Sequence, residues 1–227
     1  METKKTTPLI ILLVLFSFSK PLKAQDWANL TKYQKANKAV EFDESQKNRV
    51  VFMGNSITEG WPKEFFEGKT YLNRGISGQT TPQMLLRFRQ DVINLQPKAV
   101  VILAGTNDIA GNTGPMTLEQ IRDNIESMVE LAKSNKIVPI VCSVLPAYDY
   151  PWRPGLQPNI KIPKLNALLL AMAQEQEVPY LDYFSAMADE RNGLPKKWTT
   201  DEVHITPKGY EVMGDLVEKA IAQALKE

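Results

Sequence analysis

Ser56, Asp201 and His204 are the residues whose types and spacing best suit covalent chemistry. Ser56 follows the apolar run "VVFMG" within "VVFMGNSITEGW", so a buried strand ends by presenting a hydroxyl. A serine hydroxyl becomes a useful nucleophile only when a base takes its proton, and imidazole is the base suited to neutral pH. His204 is the only histidine in the chain, so it is the one histidine that can serve. Asp201 stands three residues earlier in "DEVHIT", close enough for its carboxylate to accept the Nδ1–H and fix the ring's tautomer. Attack on an acyl carbon also needs donors for the oxyanion. The Ser56 backbone N–H, the backbone at Gly78 in "GISGQTT" and the Asn107 amide in "GTND" are the candidates. Asn55 and Asp108 read as turn-stabilising residues.

The elements that would position these groups follow from apolar patterning. Strand-like runs lie at 50–54, 71–76, 99–105, 138–145 and 179–183. Helical patterns lie at 82–94, 118–134, 159–175 and 207–225, with Thr206 placed to cap the last and Pro207 at its first position. Trp27, Leu30, Tyr33, Ala36 and Val40 have helical spacing and predict a further amphipathic helix. Alternating strands and helices with continuously apolar strands imply a five-stranded parallel sheet inside a three-layer α/β/α sandwich of flavodoxin-like type. Such sheets bind ligands beyond the carboxyl ends of their strands. Ser56, Gly78 and Asn107 follow the first three strands, and His204 precedes the last helix, so all fall at one sheet edge.

Four ordered blocks resemble the SGNH, or GDSL-like, esterase superfamily: "GNSIT", "NRGISGQTT", "GTND" and "DEVHIT". The resemblance covers nearly all of residues 25–227, read as a single domain. It implies Ser56 as nucleophile, His204 as base, Asp201 as its orienter, and Gly78 and Asn107 as oxyanion donors. It also implies ester hydrolysis without metal or organic cofactor. Asn55 stands where the family motif carries Asp, which keeps the turn chemistry and removes a charge.

Bulk properties narrow the setting. Residues 1–24 carry Lys4 and Lys5 before the apolar run "PLIILLVLFSFS" and end in "LKA", the pattern of a cleaved secretory signal. The expected location is therefore the periplasm or the exterior, with no stable membrane insertion after cleavage. Cleavage would remove four basic residues (Lys4, Lys5, Lys20, Lys23) and Glu2, turning the formal charge of +1 slightly negative. No polybasic tract remains, which argues against nucleic acid as a partner. One cysteine, Cys142, in an apolar strand reads as a core residue, and one Cys with one His leaves little for a zinc site.

The substrate expected is a small-molecule or glycan ester, and a carbohydrate O-acetyl group fits best. The segment 145–163 has five prolines and three aromatics and follows the fourth strand. Tyr148, Tyr150 and Trp152 either stack on a sugar or pack on the body; Arg153 suits an acidic or hydroxylated group, and Trp61 is a further candidate contact. No amphipathic lid appears, which argues against a lipase acting on bilayers. The alternatives are a lysophospholipase or acyl-thioesterase on the same fold, and a non-catalytic flavodoxin-like binder.

Overall fold

The computed structural model describes residues 25–43 and 48–226, so the expected signal segment 1–24 lies outside it. Strands β1 (Val50–Gly54), β2 (Tyr71–Gly75), β3 (Ala99–Leu103), β4 (Val138–Cys142) and β5 (Tyr180–Leu181) form one sheet in the order β2-β1-β3-β4-β5. Every pairing is parallel, with Val50 beside both Tyr71 and Ala99. Helix α1 (Gln34–Lys38) precedes β1, the crossovers contain α2 (Ser56–Glu59), α3 (Thr81–Asp91), α4 (Thr106–Ile109), α5 (Leu118–Ser134) and α6 (Pro158–Glu175), and α7 (Tyr183–Met187) and α8 (Pro207–Ala224) follow β5. Among these residues no helix is long and apolar enough to cross a membrane.

The two faces of the sheet carry separate apolar layers because strand side chains alternate. Val51, Met53, Val100, Ile102 and Val141 pack beneath α3, α5 and α6. Val50, Phe52, Val101, Leu103, Ile140 and Cys142 pack with α7 and α8. The three-layer sandwich read from the sequence is therefore the fold. Cys142 is buried in the second layer, and burial pushes its thiol well above the ordinary range.

Local chemistry fixes the helix starts. Thr80 and Gln83 form a capping box before α3, Thr117 and Gln120 do so before α5, and Thr206 accepts the Gly209 N–H with Pro207 opening α8. Several expected elements are shorter than their patterns: β2 ends at Gly75 rather than at 76, β3 at Leu103 rather than at 105, and α3 at Asp91 rather than at 94. Strand β4 stops at Cys142 because the Val144 N–H and C=O both pair with the Asn166 side chain, at 2.8 and 3.0 Å. Strand β5 stops at Leu181 because Asp182 caps α7 by accepting from the Ser185 N–H. The amphipathic helix expected over 27–40 is only α1; Trp27 and Leu30 are exposed, and Ala28 is buried. Polar bonds hold this segment instead. Asp26 accepts from the Leu30 and Thr31 N–H groups, while Gln79, Gln83 and Gln90 donate to the carbonyls of Ala28, Trp27 and Leu30.

Candidate active site

The strand ends bring Ser56, His204 and Asp201 into line. Ser56 opens α2 just beyond β1, and Asn55 caps that helix by accepting the Ile57 N–H at 3.0 Å. The turn role expected for Asn55 is thus met without a charge. His204 lies on the segment before α8, where its carbonyl accepts from Thr199 Oγ1 and the Thr200 N–H. Its Nε2 is 3.2 Å from Ser56 Oγ, and its Nδ1 is 2.6 Å from Asp201 Oδ2. An ionised carboxylate only accepts, so Nδ1 carries the proton and Nε2 turns its lone pair to the Ser56 hydroxyl. The second oxygen, Asp201 Oδ1, accepts the backbone N–H groups of His204 at 2.7 Å and Val203 at 3.1 Å. Burial raises the Asp201 pKa, but the bonds from His204 and Val203 outweigh it and hold the carboxyl below its ordinary range.

The three expected oxyanion donors follow the carboxyl ends of β1, β2 and β3. Ser56 N–H is the first of its helix and donates to no acceptor among the described residues, which leaves it available. Gly78 has φ +77°, a conformation that favours glycine, and its N–H is likewise uncommitted there. Asn107 is buried, and its Nδ2 gives one proton to the Gln79 carbonyl at 3.0 Å, which fixes the amide and leaves the other proton free. Asn112 anchors the Gly78 loop by donating to the Gly78 carbonyl at 3.0 Å.

Sequence reasoning missed the scaffold behind these donors. Arg87, fully buried on α3, donates to the Gly54 carbonyl at 3.1 Å, to Gln79 Oε1 at 2.5 Å and to Asp91 Oδ2 at 3.1 Å. One guanidinium thus ties the backbone before Ser56 to the loop after Gly78. The readable signal was the i,i+4 spacing of Arg87 and Asp91. Asp108 is structural, as expected: Oδ1 accepts the Thr81 N–H and hydroxyl at 2.8 and 2.6 Å. Its Oδ2 is buried without a partner among the described residues, and burial raises its pKa to about 6 against the lowering effect of Thr81.

The expected substrate contacts divide. Trp61 is a correction: it is 4 % exposed and packs among Phe52, Phe65, Phe66 and Tyr210, so it braces α2 and meets no substrate. Tyr150 is also a correction, being fully buried with its hydroxyl 2.8 Å from Thr106 Oγ1. Tyr150 instead supports Trp152, whose ring stacks on it at 5.3 Å. Trp152 is 44 % exposed, and its ring lies 6.3 Å from that of His204. Tyr148 is exposed beneath the Arg191 guanidinium, and Arg153 donates to the carbonyls of Ala110 and Gly111. Among the described residues no cluster of three His, Cys, Asp or Glu could hold a metal ion.

The chain has known counterparts. Residues 52–212 match the GDSL-like lipase/acylhydrolase family. A solved Bacteroides fragilis protein described as an acylhydrolase is 47 % identical, with TM-score 0.86, covering 89 % of this chain and 100 % of its own. A GDSL-like lipase of Bacteroides thetaiotaomicron is also 47 % identical, with TM-score 0.84 over 87 % and 98 % of the two chains. The isoamyl acetate-hydrolyzing esterase of Saccharomyces cerevisiae is 26 % identical over 171 residues, spanning 70 % of this chain and 71 % of the yeast one. The chain therefore belongs to the GDSL-like lipase/acylhydrolase family and is a carboxylic ester hydrolase.

Proposed function

We propose that Ser56, His204 and Asp201 carry out acyl transfer, and that the substrate is a short-chain ester, an O-acetyl group on a carbohydrate met outside the cytoplasm. The observation that carries the first half is the line Ser56 Oγ, His204 Nε2, His204 Nδ1, Asp201 Oδ2, with contacts of 3.2 and 2.6 Å. Ser56 Oγ attacks the ester carbonyl carbon as His204 Nε2 takes its proton. The oxyanion is received by the N–H groups of Ser56 and Gly78 and the Asn107 amide. Collapse expels the alcohol, which takes the proton from His204. Water, deprotonated by His204, then attacks the acyl-Ser56 carbonyl, and collapse releases the acid and restores Ser56 with that proton.

The acyl half of the proposal rests on the relatives. The yeast relative is named for an acetate ester, which fits this reading. The carbohydrate half rests on Trp152, an exposed ring stacked on a buried one beside His204. Export rests on the sequence pattern of residues 1–24.

The test is an acyl-length series of p-nitrophenyl esters together with acetate release from acetylated xylan, mannan, pectin and sialosides, with Ser56→Ala as control. Acetyl esters should be preferred, and Ser56→Ala should release no acetate. Equal turnover of decanoyl and acetyl esters would favour a lysophospholipase or thioesterase and contradict the proposal.

A further inference from the structure

A groove of about 610 Å³ opens beside the Asn107 loop, and its walls include Asp108, Gly111, Asn112, Met116, Arg153 and Lys161. It adjoins the Ser56 centre through two connections. Asn112 holds the Gly78 carbonyl, and Trp152, next to Arg153 in the chain, faces His204. An ester bound at Ser56 with its alcohol part laid across Trp152 reaches Arg153 next.

Arg153 is seated in advance. Its Nη1 donates to the Ala110 carbonyl at 2.7 Å and to the Gly111 carbonyl at 2.9 Å. Gly111 permits this seat: it has φ +69°, and a Cβ there would lie 3.0 Å from Nη1. A guanidinium held by one nitrogen cannot swing freely, and its Nε and Nη2 donate to no acceptor among the described residues. Lys161, half-buried in the first turn of α6, likewise has no ion pair or side-chain hydrogen bond among them. Neither nearby acid pairs with Arg153 or Lys161 among the described residues. Asp108 is turned to Thr81, and Asp149 accepts the N–H groups of Tyr150 and Gly155. Among the charged residues that line the groove, two cations, Arg153 and Lys161, stand against one acid, Asp108, a balance that favours an anion.

We infer that this groove is a subsite for a carboxylate on the alcohol part of the substrate, the free edge of Arg153 holding both oxygens and Lys161 adding a point charge. The substrate class is then an acetylated acidic sugar of the uronate type. This deepens the proposed function and rests on it for the position of the ester at Ser56.

The test compares acetylated methyl glucuronoside with acetylated methyl glucoside and with an acetylated glucoside 6-sulfate. Hydrogen bonds to a charged group of this kind correspond to a preference of about 10- to 100-fold. Wild-type kcat/KM should favour the uronate over the neutral sugar by that factor, with the difference in KM. Arg153→Gln should bring the ratio close to unity, and Lys161→Gln, a substitution on a partly exposed helix face, should lower it in part. Calorimetric binding of methyl glucuronoside to the same proteins reads the subsite without any turnover. Hydrolysis of all three esters without discrimination, or discrimination untouched by both substitutions, would overturn the subsite while leaving the Ser56 proposal standing. Preference for the sulfate over the uronate would overturn the carboxylate assignment. Arg153-dependent binding of the uronoside without ester turnover would uphold the subsite and sink the Ser56 proposal.

Discussion

Asp201→Asn isolates one function of that side chain. In the native site Oδ1 accepts two backbone N–H groups, from His204 at 2.7 Å and Val203 at 3.1 Å, while Oδ2 faces His204 Nδ1 at 2.6 Å. The substituted amide keeps an oxygen for the two backbone bonds and puts an NH₂ group against Nδ1. The imidazole must then accept at Nδ1 and carry its proton on Nε2, where it points at Ser56 Oγ as a donor. A ring in that tautomer cannot take the serine proton, and the expected fall in kcat is about 10⁴-fold. The fold should scarcely notice, because the loop keeps its backbone bonds; the cost is on the order of 1 kcal/mol for weaker bonds to a neutral acceptor. Asp201→Ala removes all the bonds and should lower Tm as well as kcat. The assay is p-nitrophenyl acetate turnover read beside thermal unfolding. Asp201→Asn with an unchanged Tm and less than a tenfold loss of kcat would refute the orienting function. The native and Asp201→Asn proteins should also differ in acid. The Asp201 pKa is depressed in the fold, so its contribution to stability is present above the ordinary carboxylate range and is lost as pH falls through the depressed value. The amide does not titrate, so the Asp201→Asn protein has no such acid-side loss.

Two further outcomes follow from buried groups. Arg87→Met leaves Asp91 buried without its cation and releases the Gly54 carbonyl and Gln79, so unfolding should become easier by about 3–5 kcal/mol; denaturant titration reads this, and a change below about 1 kcal/mol would contradict the clamp. The Asp108 pKa is raised to about 6, so its stabilisation is full below the ordinary carboxylate value and is lost as pH rises towards 6. Asp108→Asn should remove that decline, on the order of 3 kcal/mol, and parallel Tm–pH curves for the two proteins would contradict it.

The catalytic candidates were legible because topology constrains them. A parallel sheet places the residues after its strands at one edge, and Ser56, Gly78 and Asn107 are such residues. The chain's one histidine left no choice of base. Depth was not legible. Trp61 follows a polar turn, so nothing local separates a rim residue from a core one; its partners Phe52, Phe65, Phe66 and Tyr210 include one on β1 and one on distant α8. Tyr150 and Trp152 lie two apart in an irregular segment without periodicity, and one is buried while the other is exposed. Arg87 on an amphipathic helix reads as solvated, and only three acceptors from separate parts of the chain make its burial tolerable. The segment before α1 shows helical spacing, yet Asp26 and the glutamines on and before α3 satisfy its backbone in another conformation.

Labelling with a fluorophosphonate tests the central claim most directly, because the reagent captures the activated nucleophile itself. Peptide mass spectrometry of the labelled protein should place a single adduct on Ser56, and Ser56→Ala should neither label nor hydrolyse p-nitrophenyl acetate. An adduct on another residue, or a Ser56→Ala protein that keeps its turnover, would contradict the account.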